Sequence, residues 1–413
     1  MNILFIVPYV PDLIRVRPYN LIRHLTGLGH QVTVLSLWTN QNEKKAAEDL
    51  EQHCYKVYAV GLSRWRSYLN AFAALPTRAP LQASYCWQPA LVHLAENLIK
   101  SNNGREPFDV IHVEHLRGAR FGLALKAHHL TTSPGVPIVW DSVDSISYLF
   151  RQAIASSKRG YDRLLTRFEL GRTEQYEGWL VSQFDRTLVT SLADKNALEA
   201  LPSPTAEKNP PSMISVLQNG VDLDYFTPDP KTPRDEATLV LSGKMSYHAN
   251  IAMAIHLIQD IMPKVWAVRE DVSVKIVGKD PPSIIKSLAE TPRVTVTGTV
   301  PDLRKYLQQA TMAVAPITYG AGIQNKILEA MACATPVVTT PKAVMGLQTT
   351  SGENIFVAQD AASFADVILK LLADSPLRQR IGAAGKQFVE KNHSWHGIAS
   401  QLSHIYTQVI RNT

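Results

Sequence analysis

Short runs of β-branched and other apolar residues alternate with longer stretches of helical periodicity along nearly the whole chain. That alternation predicts β-α-β units and parallel sheets. In the first half the expected strands are Ile3–Val7, Gln31–Leu37, Lys56–Val60, Val110–Glu114, Ile138–Asp141 and Arg186–Thr190. Between the first two, Tyr19–Gly29 carries an apolar stripe at helical spacing and closes on a glycine. A proline-rich polar stretch, Pro202–Pro211, interrupts the pattern as a surface loop or linker. A second series follows: Ile214–Leu217, Leu239–Ser242, Ser273–Val277, Val294–Thr297, Met312–Ala315, Pro336–Thr339 and Ile355–Val357. The expected fold class is α/β, with two doubly wound Rossmann-like parallel-sheet domains, residues 1–212 and 213–393. The chain should pass between the sheets near Gln218–Asp222, and a ligand cleft is expected where carboxyl ends of strands face each other. The tail, residues 394–413, reads as a helix over Trp395–Arg411 that returns to the first domain.

Composition narrows the partners. The 413 residues are 45% hydrophobic, enough for full cores, and the net charge of +6 favours anionic partners such as nucleotides, phosphorylated acceptors or acidic lipid headgroups. No nucleic-acid recognition motif is found, so no nucleic-acid partner is expected. Cys54, Cys86 and Cys333 lack metal-ligand spacing and fit structural thiols in a reducing cytoplasm. Met1–Val7 has no basic leader and reads as a first strand rather than a signal peptide. No apolar run reaches the ~18 residues of a membrane span, so any membrane contact is expected to be peripheral, at the inner face.

The segment Tyr319–Ala332 holds the most chemistry. It reads as a polar loop feeding a helix on which Lys326 and Glu329 share one face. Helix N-terminal amides and Lys326 suit an anion, and Glu329 suits hydroxyls, which together describe a sugar phosphate or nucleotide. An ordinary capped helix fits the same spacing. His112-Val-Glu-His115 ends a buried strand; its alternation sends the two histidines to opposite faces, so metal is not expected, and Glu114 and His115 are candidates to line an acceptor site. Arg151, Lys158, Arg159, Arg163, Arg167 and Arg172 suggest a basic helix stripe for anionic lipid or a polyanion, with a solvated face paired to Asp162 and Glu169 as the alternative.

Four segments in this order, Val216–Pro228, Leu241–Met245 with Asn250, Val296–Val300 and Gly322–Val338, make the chain similar to retaining glycosyltransferases of family four (group 1), which have the GT-B fold. The Gly-Ile-Gln-Asn-Lys form of the last segment further resembles bacterial exopolysaccharide-associated sugar transferases. The resemblance implies a nucleotide sugar, UDP-linked by default, held mainly by the second domain, and an acceptor hydroxyl held mainly by the first. It implies retention of anomeric configuration and use in glycan, glycolipid or exopolysaccharide synthesis. No metal or cofactor is expected, because cationic groups can neutralise the diphosphate.

By the same resemblance Glu329 would hold the ribose hydroxyls, Lys244 would face the diphosphate, and Thr299 and Val300 would lie beside the base. Backbone amides of Gly322, Ile323, Gln324 and Asn325 are expected on the donor, with Lys326 as a further sugar or phosphate contact. The departures are informative. Ala321 stands where the family has a first, sugar-holding Glu. The usual Gly-Gly loop is replaced by Pro11–Arg17, so Arg15 and Arg17 become candidates for phosphate or an acidic acceptor. The usual His-Asp pair is replaced by Val143-Asp144, leaving Asp141 and Asp144 as acceptor-side carboxylates, with capping of the next helix as the alternative for Asp144. A GT-B nucleotide-sugar epimerase and a catalytically degenerate nucleotide-sugar-binding regulator remain the alternative functions.

Overall fold

The structure is a computed structural model that describes residues 1–12, 15–100, 108–129, 135–156, 160–202, 213–318 and 324–412. It divides into two compact units, Met1–Gln218 with Trp395–Thr413, and Asn219–Ser394. The first unit holds strands β1 (Asn2–Val7), β2 (Gln31–Trp38), β3 (Lys56–Gly61), β4 (Val110–Glu114), β5 (Ile138–Val143), β6 (Arg186–Val189) and β7 (Ile214–Val216). They form one parallel sheet in the order β3-β2-β1-β4-β5-β6-β7. The second unit holds β8 (Thr238–Ser242), β9 (Ser273–Val277), β10 (Val294–Gly298), β11 (Met312–Ala315), β12 (Val337–Thr339) and β13 (Phe356–Val357), parallel in the order β10-β9-β8-β11-β12-β13. Both are doubly wound, as the GT-B expectation required, and strand order reverses between β1 and β4 and between β8 and β11. Carboxyl ends beside such reversals are where ligands bind in this architecture.

The strands are apolar throughout because helices cover both sheet faces. In β1, Ile3, Phe5 and Val7 enter one core while Leu4 and Ile6 enter the other. The first of these cores is closed by helix Val16–Gly27 and by the terminal helix Trp395–Asn412. Trp395, Ile398, Ala399, Leu402, Ile405, Tyr406 and Val409 are buried at helical spacing, so one stripe of the tail completes the first unit.

One expected strand changes sheet. Ile214–Leu217 was expected to open the second series, but β7 pairs with β6, Thr187 opposite Ile214. Helix Leu192–Glu199 lies between β6 and β7, so the proline-rich stretch falls inside a crossover connection and does not separate domains. The change of unit comes at Gln218–Asn219, after β7, rather than at residue 212.

Candidate functional site

In the second unit, β8 ends at Gly243-Lys244 and β11 leads, through residues 319–323 that lie outside the described set, into helix Asn325–Ala332. These two segments flank the strand-order reversal. Ile327, Leu328, Ala330, Met331 and Ala332 anchor the helix in the core, which leaves Lys326 and Glu329 on its half-buried side. Gln324 occupies the N-cap without a side-chain cap bond, so the helix start is not closed by its own residue. Lys326 Nζ donates to Asn250 Oδ1 at 2.8 Å and to Gln324 Oε1 at 3.3 Å, and Asn250 Nδ2 donates back to the Lys244 carbonyl at 2.9 Å. Burial lowers the Lys326 ammonium to about 8, against the opposing effect of Glu329. Burial also raises the Glu329 carboxyl to about 7, against the opposing effect of Lys326. Two opposite charges are thus held partly desolvated next to a helix start that its own N-cap side chain does not close, which favours a strongly anionic ligand.

Glycines let the strand ends close in. A Cβ on Gly278, at φ +154°, would stand 1.7 Å from the Gly243 carbonyl oxygen, and one on Gly243, at φ +148°, would meet Asn250 Nδ2 at 2.8 Å. Only glycine fits where the ends of β8 and β9 abut beneath the Asn250–Lys326 bond. Lys244 and Thr299 are exposed, and Val300 packs against the core. The Asn325 Oδ1 atom is buried with no hydrogen-bond partner. Gly322 and Ile323, and the departure at Ala321, lie outside the described residues.

The corresponding end of the first sheet gathers Tyr9, Glu114, His115, Asp141 and Asp144. Tyr9 donates its hydroxyl to Glu114 Oε1 at 2.8 Å, while Glu114 Oε2 is buried without a partner. Burial and then the Asp141 charge raise Glu114 to about 8, so at neutral pH it is mainly a protonated acid. His115 sits at φ +67°, a backbone strain for a non-glycine residue at the end of β4. Burial and the Arg117 charge lower it to about 4. Its Nδ1 accepts from the Arg117 amide at 3.3 Å, which leaves the neutral ring with its proton on Nε2. Burial, then the Asp194 charge, raise half-buried Asp144 to about 6, and Thr190 Oγ1 donates to it at 3.1 Å.

The other first-unit candidates have partners within the unit. Asp141 is fully buried; Arg17 donates to its Oδ2 from Nε at 3.0 Å and Nη2 at 2.8 Å, and the Val143 amide donates to Oδ1 at 3.0 Å. Arg17, in the first turn of helix Val16–Gly27, is thereby tied to Asp141 in β5, and its Nη1 donates to the Gln218 carbonyl at 3.3 Å. Arg15 is likewise engaged, with Glu43 Oε1 at 3.0 Å, the Val10 carbonyl at 3.0 Å and the Tyr9 ring at 4.7 Å. Asp144 does not cap helix Ile146–Ser156. Glu177 takes the Ile146 and Ser147 amides at 2.8 and 3.1 Å and Ser145 Oγ takes the Tyr148 amide at 3.3 Å, so a distant carboxylate and the adjacent serine close that helix start. His112 is fully buried, stacked on Phe5 at 4.0 Å and bonded to Tyr406 at 2.8 Å, whereas His115 begins the next helix. In the basic stripe, Arg151 pairs with Glu174 at 2.7 Å and Arg172 donates to the Ala74 carbonyl at 2.7 Å. Lys158 and Arg159 lie outside the described residues, as does the Arg163 side chain.

Tyr9, Gly278 and Glu177 were not anticipated. Gly278 had a signal, since Leu241-Ser-Gly-Lys at the end of β8 is echoed by Ile276-Val-Gly-Lys at the end of β9. The other two are positioned by tertiary contacts alone.

Residues 15–225, more than half of the chain, match the family model Glycosyltransferase Family 4. The chain belongs to that family. Residues 236–374 match a second model, Glycosyl transferases group 1. Among curated relatives of this family-4 chain is the phosphatidyl-myo-inositol mannosyltransferase of Mycobacterium leprae, 28% identical over 240 residues that cover 56% of this chain and 61% of the relative. The match therefore spans about three fifths of that relative's length. Sucrose-phosphate synthase from Thermosynechococcus elongatus has a similar structure, with TM-score 0.67, 18% identity and 100% of both chains covered. So does Anabaena HepE, solved with UDP and glucose, with TM-score 0.66, 16% identity and 99% and 100% of the two chains covered. At these identities the likeness is one of fold.

Proposed function

We propose that this family-4 protein is a glycosyltransferase that moves a sugar from a nucleoside-diphosphate donor, held by the second unit, to a hydroxyl of an acceptor held by the first. The observation that carries the reading is the start of helix Asn325–Ala332. There Lys326, oriented by Asn250 and lowered toward neutral by burial, stands at a helix N-terminus that the Gln324 side chain does not cap, with Glu329 one turn further on. The diphosphate fits Lys326 and the first-turn amides, with exposed Lys244 as a further cation. Glu329 accepts the ribose hydroxyls.

In the reaction the bond from the anomeric carbon to the diphosphate oxygen breaks as the bond to the acceptor oxygen forms. Lys326 and the helix amides stabilise the charge that grows on the departing diphosphate. With retention, the acceptor attacks from the leaving-group face and its proton passes to a diphosphate oxygen. That route calls for no nucleophile from the protein, and the scheme includes no metal because cationic groups meet the diphosphate charge. Protonated Glu114 and the His115 Nε2–H are donors suited to orienting acceptor hydroxyls, and Asp144 is suited to accepting from them.

The comparisons suggest two donor chemistries to try, a mannosyl donor after the mycobacterial relative and UDP-glucose after a further HepE structure solved with it. The same relative is named for a phosphatidylinositol acceptor, so lipid-linked polyols belong in the acceptor panel beside glycans. The test is incubation with UDP-, GDP- and ADP-sugars and these acceptors, reading acceptor-dependent nucleoside diphosphate release and the anomeric configuration of the product by NMR. Binding without release across all acceptors would contradict transfer and favour a binding protein. A rearranged nucleotide sugar formed without acceptor would favour the epimerase.

A further inference from the structure

Helix Arg64–Ala74 is turned inside out relative to an ordinary surface helix. Its protein-facing side is small or polar, with Ser67 and Ala74 buried and Asn70 and Ala71 half-buried. Its large apolar residues face solvent: Trp65 is 79% exposed, Tyr68 60%, Leu69 66% and Phe72 72%, followed by Leu75. Positions 65, 68, 69 and 72 fall on one helical face.

Hydrogen bonds, with one edge-on ring contact from Tyr68 to Tyr85 at 6.5 Å, hold the helix in this attitude. Ser63 caps its start by accepting from the Arg66 amide at 3.2 Å. Asn70 Nδ2 donates to the carbonyls of Tyr85 and Trp87 at 3.3 and 2.8 Å. At the other end Arg172 donates to the carbonyls of Ala74 and Leu75 at 2.7 and 3.3 Å. Arg172 also lies 5.0 Å from the ring of exposed Phe168, which extends the apolar surface. A patch of this kind on an otherwise charged surface marks a site of contact.

Charge identifies the occupant. From Gln52 to Ala95 the chain contains no Asp or Glu, while Arg64, Arg66 and Arg78 are all exposed. In a twofold contact between copies this basic rim would be brought against itself, whereas an anionic surface neutralises it. Trp and Tyr favour the boundary between headgroups and acyl chains, and arginine favours phosphate headgroups. Among the described residues no helix is long and apolar enough to cross a membrane, so the contact lies in the plane of the surface. We propose that the Trp65–Phe72 face docks the protein on an anionic lipid bilayer, its aromatic side chains entering the interface and Arg64, Arg66 and Arg78 pairing with phosphate headgroups.

The test uses the full chain and needs no sugar, so it is independent of the donor-site reading. Co-sedimentation is measured with vesicles of phosphatidylcholine alone and of phosphatidylcholine mixed with phosphatidylglycerol. Binding is expected to the mixed vesicles, to weaken with salt, and to fall by about tenfold or more in Trp65→Ser/Leu69→Ser/Phe72→Ser and in Arg64→Gln/Arg66→Gln/Arg78→Gln. Far-UV circular dichroism should be unchanged, since the substituted side chains are exposed. Lipids brominated in the acyl chain should quench part of the tryptophan fluorescence of the native protein, a readout that needs no variant. No vesicle binding by the native chain, unchanged binding by the aromatic variant, or no quenching would overturn the proposal. Self-association abolished by the aromatic variant, without vesicle binding, would reassign the face to a second copy.

Discussion

Replacing Lys326 with methionine keeps the reach of the side chain and removes its charge. In the unliganded protein burial lowers the ammonium from 10.5 to about 8, a penalty of ~3 kcal/mol for carrying the charge there. A bound diphosphate supplies the missing negative charge and should return the group toward its ordinary value. Above pH 8 the free protein has lost the proton and the complex keeps it, so binding requires proton uptake. The affinity of the native protein for a nucleoside diphosphate should fall by up to about tenfold per pH unit, or about 100-fold between pH 8 and pH 10. The ligand's own phosphate ionisation, near about 6, is complete by then, as is that of Glu329 at about 7. Lys326→Met should bind about 10- to 100-fold more weakly at neutral pH, the worth of a charge-assisted hydrogen bond, and should show no further fall above pH 8. Titration calorimetry in buffers of different ionisation enthalpy reads both the affinity and the protons taken up. Flat native affinity between pH 8 and pH 10, or a variant within about twofold of native, would refute the assignment. Folding carries the same linkage. Between about 8 and 10.5 the unfolded chain binds this proton and the unliganded fold does not, so the group adds stability as pH rises through that window.

Glu329→Ala should weaken nucleoside diphosphate binding by about tenfold or more while leaving inorganic pyrophosphate binding nearly unchanged, because only the ribose contact is removed; competition calorimetry separates the two. Gly278→Ala places a Cβ 1.7 Å from the Gly243 carbonyl and should destabilise the second unit by ~3 kcal/mol or more, read as a lower thermal midpoint. By contrast Gly171→Ala, exposed in helix Gly160–Val181 with nothing within 4 Å of the new Cβ, should be neutral or stabilising by up to ~1 kcal/mol. Arg17→Met strands buried Asp141 without its cation and should cost ~3–5 kcal/mol in urea unfolding near neutral pH. That loss should shrink in acid, where the raised Asp141 carboxyl takes up a proton, and Arg17→Met/Asp141→Asn should recover part of it.

The doubly wound architecture was legible because parallel strands covered on both faces leave continuous apolar runs such as Ile3–Val7 and Met312–Ala315. The terminal helix was legible from its stripe. The sheet that receives Ile214–Val216 was not, since a short apolar run carries no record of its pairing partner and the prolines beside it suggested a boundary. In the second unit Lys326 and Glu329 share a helix face, a pattern within four residues, whereas the Lys326–Asn250 bond joins positions 76 apart that the chain pattern alone does not pair. For the first-unit candidates Arg15, Arg17 and Asp141 the sequence did not reveal the partners they have within the unit. Arg17 and Asp141 are 124 residues apart and Glu177 lies 31 from Ile146, separations across which periodicity is silent. Membrane chemistry was sought in the arginines of helix Gly160–Val181, yet Arg172 there anchors the end of Arg64–Ala74, the helix whose exposed aromatic face is the stronger candidate.

The central claim is that the start of helix Asn325–Ala332 binds the donor diphosphate. A crystal structure of the full chain with a nucleoside diphosphate tests it most directly. The account predicts phosphate oxygens within hydrogen-bond distance of Lys326 Nζ and the first-turn amides of that helix, with the ribose hydroxyls on Glu329. A nucleotide bound elsewhere, with Lys326 still turned to Asn250 and Gln324 and no phosphate at the helix start, would contradict it.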